Sequence, residues 1–139
     1  MSPRRIHWRL VLLAGLLSEL AVFAIFFALL ALASLAGVPE VARPMSTLDY
    51  IDAMVSSFGM VFVFTLWVGK RIESGFVVHG MLIGLVGILL FLALIFALSG
   101  SIAQPLLYVV AHGLKLLGGI AGGLVAQKRT ATRATLLPT

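Results

Sequence analysis

Four long, uninterrupted apolar stretches dominate this chain: Trp8 to Ala36, Tyr50 to Gly69, Gly75 to Ser99 and Gln104 to Gln127. Each reaches or exceeds the roughly 20 residues a helix needs to cross a hydrocarbon core. Lipid offers backbone N–H and C=O groups no water to bond, so a spanning segment is either a helix or part of a closed barrel. Barrel strands alternate apolar with polar residues, and no such alternation occurs here. With 61% hydrophobic and 11% charged residues, the composition lies far from that of a water-soluble domain, which is about 45–50% apolar. The expected fold is an all-α integral membrane protein, an antiparallel bundle of four transmembrane helices. It is a single domain over 1–139, with helices near 8–36, 50–69, 75–99 and 104–127 and an outer loop over 37–49.

The first stretch also has the basic start of a signal peptide (Arg4, Arg5, Arg9), and Ala31-Leu32-Ala33 would serve as a cleavage site. Its apolar run is about twice the usual 7–15 residues, and it carries Glu19, so a retained helix is expected. Orientation follows from the cations. Arg4, Arg5 and Arg9 precede the first helix, Lys70 and Arg71 lie between the second and third, and Lys128, Arg129 and Arg133 follow the fourth. The opposite side has Arg43 beside Glu40, Asp49 and Asp52. Both termini are therefore expected in the cytoplasm of a bacterial cell, with the chain multi-pass in the inner (plasma) membrane. Trp8 and Trp67 near the inner ends and Tyr50 and Tyr108 near the outer ends fit the same register. The net charge of +5 then expresses topology and contact with anionic membrane lipid, with no nucleic-acid partner.

Away from the ends of these stretches two charges stand alone: Glu19 in the first and Lys115 in the last. An ionisable group in a bilayer is costly and needs a partner, a hydrated cavity or a task. Counted by helix rise, Glu19 lies roughly 15 Å and Lys115 roughly 20 Å from the cytoplasmic ends of their helices. Two long side chains span that difference, so an intramembrane ion pair near the midplane is expected. Such a pair either orients the first and last helices or serves as a proton or ion site. Tyr108, His112, Lys115, Gly119 and Gly122 share one stripe of the last helix, with Val110, Leu114, Leu117, Ala121 and Leu124 on another that should face lipid. Asp52, His112, the ion pair and His79 would form a ladder resembling a proton path, although the two histidines differ by about 12 Å in depth. The alternative for each histidine is a hydrogen-bonded core residue.

Glycines form a second pattern. Gly118, Gly119, Gly122 and Gly123 make two overlapping small-xxx-small repeats on the last helix, and Gly80, Gly84 and Gly87 share a face of the third. Such spacings let helix backbones approach closely. The third and fourth helices are expected to pack through them, or the faces to dock another subunit. His79-Gly80 and His112-Gly113 are a local echo that an inverted repeat would produce.

Cofactor, metal and catalytic chemistry find no foothold. The chain has no cysteine, the histidines lie at different depths, which disfavours haem or a metal ion, and no phosphate loop or His-Glu-x-x-His motif occurs. Ser18, Ser99 and Ser101 lack a companion histidine and acid. A non-enzymatic protein without cofactors is expected.

A chain with four spans and a lone glutamate in the first resembles the small multidrug resistance transporters. The resemblance rests on Glu19 and the helix count, and implies a dimeric proton-coupled exporter in which Glu19 is the shared proton and cation site. The long outer loop, Lys115 and the missing glycine and tryptophan signature depart from that pattern. More broadly, the chain resembles small bacterial four-helix membrane proteins with a glycine-rich last helix. The function expected first is an accessory or scaffolding subunit that packs with itself, as a homo-oligomer, or with a larger membrane complex through its glycine faces. The alternative is a small proton-coupled transporter or channel that uses Glu19.

Overall fold

The computed structural model describes residues 5–37, 47–98 and 105–136. The expected outer loop falls largely outside the described residues, as do Arg4, Glu40, Arg43, Ser99 and Ser101 and the side chains of Asp49 and Tyr50. The chain forms four helices, α1 Trp8–Leu35, α2 Thr47–Gly69, α3 Phe76–Leu98 and α4 Pro105–Leu136. All four are long and apolar enough to cross a membrane.

Two boundaries differ from the sequence expectation by more than one residue. α2 begins at Thr47 rather than Tyr50, and α4 continues past Gln127 to Leu136. The expectation equated the end of the apolar run with the end of the helix, but residues 128–136 contain neither glycine nor proline. Lys and Arg are good helix formers, and cations suit the negative end of a helix dipole. Thr130 and Thr132 donate their hydroxyls to the carbonyls of Ala126 and Lys128, each at 3.1 Å. The turn from α2 to α3 is closed by Arg71 N–H bonding Val68 O at 2.8 Å and by Gly75 at φ +71°. That left-handed conformation is one glycine adopts without Cβ strain.

The buried residues of α1 are Val11, Ala14, Gly15, Ser18 and Glu19. Steps of three and four place them on one face, and beyond Glu19 no described residue of α1 is fully buried. Val11 and Ala14 join Val61, Val68, Ile72, Phe76, Ile83 and Ala126 in the apolar core. α2 and α3 each pack against both α1 and α4, whereas α1 and α4 make no close backbone approach to one another among the described residues. α1 and α4 are therefore separated by the other pair.

Glycine makes the close packing of α4 possible, with a division of labour the sequence did not reveal. A Cβ at Gly119 would strike the carbonyl of Gly80, and one at Gly80 would strike that of Gly119. At Gly123 it would lie 2.6 Å from Val77 Cα. These two glycines serve α3 as expected. Gly118 and Gly122 instead meet α2: a Cβ at Gly118 would strike Phe58 O, and one at Gly122 would lie 2.8 Å from Phe62 O. The two repeats are offset by one residue, about 100° around the helix, so each serves a different neighbour.

Candidate functional site

Lys115 Nζ lies 2.7 Å from Glu19 Oε1, with both residues almost fully buried. Because the α1 and α4 backbones stay apart, the two side chains reach across the bundle to meet, and α3 makes the passage. A Cβ on Gly87 would lie 2.6 Å from Glu19 Oε1, and one on Gly84 would lie 3.0 Å from the Lys115 carbonyl. The glycine face of α3 is thus a notch that admits a carboxylate at Gly87 and the α4 backbone at Gly84. The ammonium also stands 5.0 Å from the centre of the Phe91 ring, within range of a cation–π attraction. Glu19 Oε2 is buried with no hydrogen-bond partner among the described residues.

Directly beside the pair is a cavity of about 270 Å³, bounded by residues of all four helices. Its polar lining is Asp52, Ser57, His112, Lys115 and Tyr108, and its aromatic lining is Phe23, Phe26 and Phe91. Asp52 is held on α2 by the hydroxyl of Ser56, which donates to its carboxylate one turn away. Phe91 organises the wall: its ring centre lies 5.2 Å from that of His112 in an edge-on arrangement, 5.5 Å from that of Tyr108 and 6.3 Å from that of Phe23. Both ring nitrogens of His112 are buried and have no partner among the described residues. Buried polar atoms are normally hydrogen-bonded, and an unsatisfied one requires a reason.

The structure therefore brings Asp52, His112 and Lys115 to one cavity, with Glu19 bonded to Lys115 beside it. His79 stands apart. Its Nε2 accepts the backbone N–H of His7 at 3.1 Å, and its Nδ1 donates to Gly75 O at 2.8 Å. With both nitrogens engaged and the ring 1% exposed, His79 ties the start of α1 to the start of α3, the hydrogen-bonded alternative weighed for it. It lies two helical turns from Gly87, the residue opposite Glu19, about 12 Å by helix rise.

Gly80, Gly84, Gly87, Gly118, Gly119, Gly122 and Gly123 are all buried against this chain's own helices. A partner would have to engage other surfaces. Sequence reasoning missed Phe91, Ser57, Ala53 and Ala111 in the cavity wall. The signal for Phe91 was present, since the glycine face of α3 continued by one turn past Gly87 arrives there. Ser57 had none, because the three- and four-residue spacing from Asp52 leads to Ser56 instead.

Among the described residues, no group of three or more His, Cys, Asp or Glu is placed to hold a metal ion. No known protein family, curated protein or solved structure matches the chain.

Proposed function

We propose that this chain is a small, non-enzymatic, multi-pass protein of the inner membrane that carries a proton-linked solute through its central cavity, with Glu19 as the proton site and Lys115 as its resting counter-ion. The single observation that carries this reading is His112, which lines a cavity with Asp52 and Lys115 and whose two ring nitrogens are buried without a partner among the described residues. A roomy, largely apolar cavity with a few polar residues in its wall suits a ligand, and ionisable residues within membrane helices mark pathways.

Antiparallel topology is supported by the order of contacts between α3 and α4: Val77 meets Gly123, Gly80 meets Gly119 and Gly84 meets Lys115. Exposed Leu12, Leu20, Phe27, Leu85, Leu89, Val109 and Leu124 supply an apolar outer surface suited to lipid. Both termini in the cytoplasm follow from the cations at Arg5, Arg9, Lys70, Arg71, Lys128, Arg129 and Arg133.

In this mechanism a proton arriving at Glu19 removes the negative charge that holds Lys115. The ammonium at the cavity wall is then uncompensated, and the net charge facing a solute beside Asp52 and His112 becomes more positive by one. The resemblance to the small multidrug resistance transporters assigns the same role to Glu19. Proteoliposomes containing the full chain and a pH-sensitive dye test it. A proton gradient should be discharged by the native protein and not by a folded Glu19→Gln variant, and equal proton flux through both would overturn the reading.

A second reading is the accessory subunit. It is favoured by the outer part of α1, where Phe27, Leu32 and Leu35 are exposed and no residue beyond Glu19 is fully buried. Its contact surface would be this face rather than the glycines. Purification in mild detergent with mass determination separates the two: a stoichiometric larger complex supports the subunit, and a bare monomer or homodimer supports the transporter.

A further inference from the structure

At the far end of the bundle from the central cavity, Lys70, Arg129 and Arg133 line a small cavity of about 50 Å³, together with Leu66, Gly69, Ala126 and Thr130. Lys70 comes from the turn after α2, and the two arginines come from the part of α4 that runs on past its apolar stretch. The extension of α4 is what creates the site, since a helix ending at Gln127 would have carried neither arginine to Lys70. The floor is a tight contact in which a Cβ at Gly69 would lie 2.5 Å from Ala126 Cβ. Thr130 lies over that floor, its hydroxyl tied to Ala126 O.

Among the described residues no carboxylate lines this cavity, and none of the three cations forms an ion pair with a described residue. Like charges gathered around a concave site repel one another, so an anion is the occupant that stabilises the arrangement. Leu66 adds an apolar wall on the side that continues into the bundle. Arginine forks bind phosphate oxygens in paired hydrogen bonds, while lysine contributes a point charge.

From this we infer that the cavity binds the headgroup phosphate of an anionic phospholipid, with Leu66 against its glycerol or acyl chain. Free inorganic phosphate shares the charge but has nothing to place against Leu66. The site lies where α2 and α4 leave their apolar stretches, the level at which basic pockets between helices meet lipid headgroups. The inference is independent of the central cavity and survives if no solute is carried.

The test is native mass spectrometry of the full chain in mild detergent, titrated with dioleoyl phosphatidylglycerol or dioleoyl phosphatidylcholine. The native protein should retain phosphatidylglycerol in preference to phosphatidylcholine. Lys70→Gln/Arg129→Gln/Arg133→Gln should weaken phosphatidylglycerol binding on the order of 100-fold, roughly five-fold per cation. Arg5→Gln/Arg9→Gln/Lys128→Gln removes the same charge outside the cavity and should weaken it by less than about ten-fold. Arg133→Gln alone, a change in the last turn of α4 that leaves the bundle untouched, should show its own five-fold share. Equal losses in the two triple variants, or no loss in the single, would replace a site with a diffuse surface charge and overturn the inference. Displacement of the lipid by an equal concentration of inorganic phosphate would overturn its lipid source.

Discussion

Gly87 of α3 and Glu19 of α1 fit so closely that a single added carbon would fill the gap: a Cβ on Gly87 would stand 2.6 Å from Glu19 Oε1 and 3.4 Å from its Cδ. The carboxylate is there because the glycine is, and Lys115 reaches it from the opposite helix.

Gly87→Ala should therefore displace the carboxylate and loosen the ion pair, lowering stability by about 1–3 kcal/mol, as overpacking of a tight site does. Gly113→Ala is the matched control, because nothing lies within 4 Å of its Cβ position. It should be neutral or stabilise by up to about 1 kcal/mol through helix propensity. Thermal unfolding of both variants in the same detergent checks the contrast, which vanishes if the Gly87 notch is not occupied.

Replacing Glu19 or Lys115 singly with leucine leaves a buried charge without its partner and should cost on the order of 3–5 kcal/mol. The double replacement removes both charges and should recover most of that loss. A double-mutant cycle read by thermal unfolding measures the coupling. If the double variant is as unstable as either single, the pair does not connect α1 to α4.

Gly119→Ala and Gly118→Ala should each loosen α4, by about 1–3 kcal/mol, but toward different neighbours. The first pushes against the Gly80 backbone of α3 and the second against Phe58 of α2. Cysteine cross-linking between α3 and α4 should fall in the first variant and persist in the second. Equal effects on that cross-link would contradict the division between the two glycine stripes.

Ala111→Phe places a ring in the central cavity, whose wall includes Ala111. If the chain is a transporter as proposed, proton-linked flux should be lost while the unfolding temperature holds within a few degrees, because the new side chain enters existing space. Retained flux would move the solute path out of this cavity.

His79→Leu removes the acceptor of the His7 amide and should cost about 1–3 kcal/mol for a polar group left unpaired. Hydrogen exchange at His7 should accelerate, with α1 beyond Glu19 unaffected.

How much of this was legible in the residues alone depended on the kind of signal. The four helices were, because an apolar run of that length has few options in water or lipid. So were Glu19 and Lys115 as a pair of interest, because an isolated charge in such a run is conspicuous. The end of α4 was not, since helix continuation past Gln127 depends on propensity and capping rather than hydropathy. The partition of Gly118 and Gly122 to α2 was also hidden: glycine spacing shows that a backbone comes close, and only the packing shows which one. The cavity around His112 was hidden for the same reason, since empty space is a property of four helices together and has no residue of its own. His79 illustrates the converse, a histidine conspicuous in the sequence whose two nitrogens the fold occupies with His7 and Gly75.

The ion pair joins α1 to α4, two helices made at different times during synthesis. During synthesis Glu19 is present before Lys115 exists, so α1 forms with its carboxylate still lacking that partner. Arrival of α4 ends that interval by wedging its two glycine stripes against α2 and α3 and delivering the lysine across Gly84. A nascent chain halted before α4 would hold Glu19 without the ammonium that the finished bundle places against it.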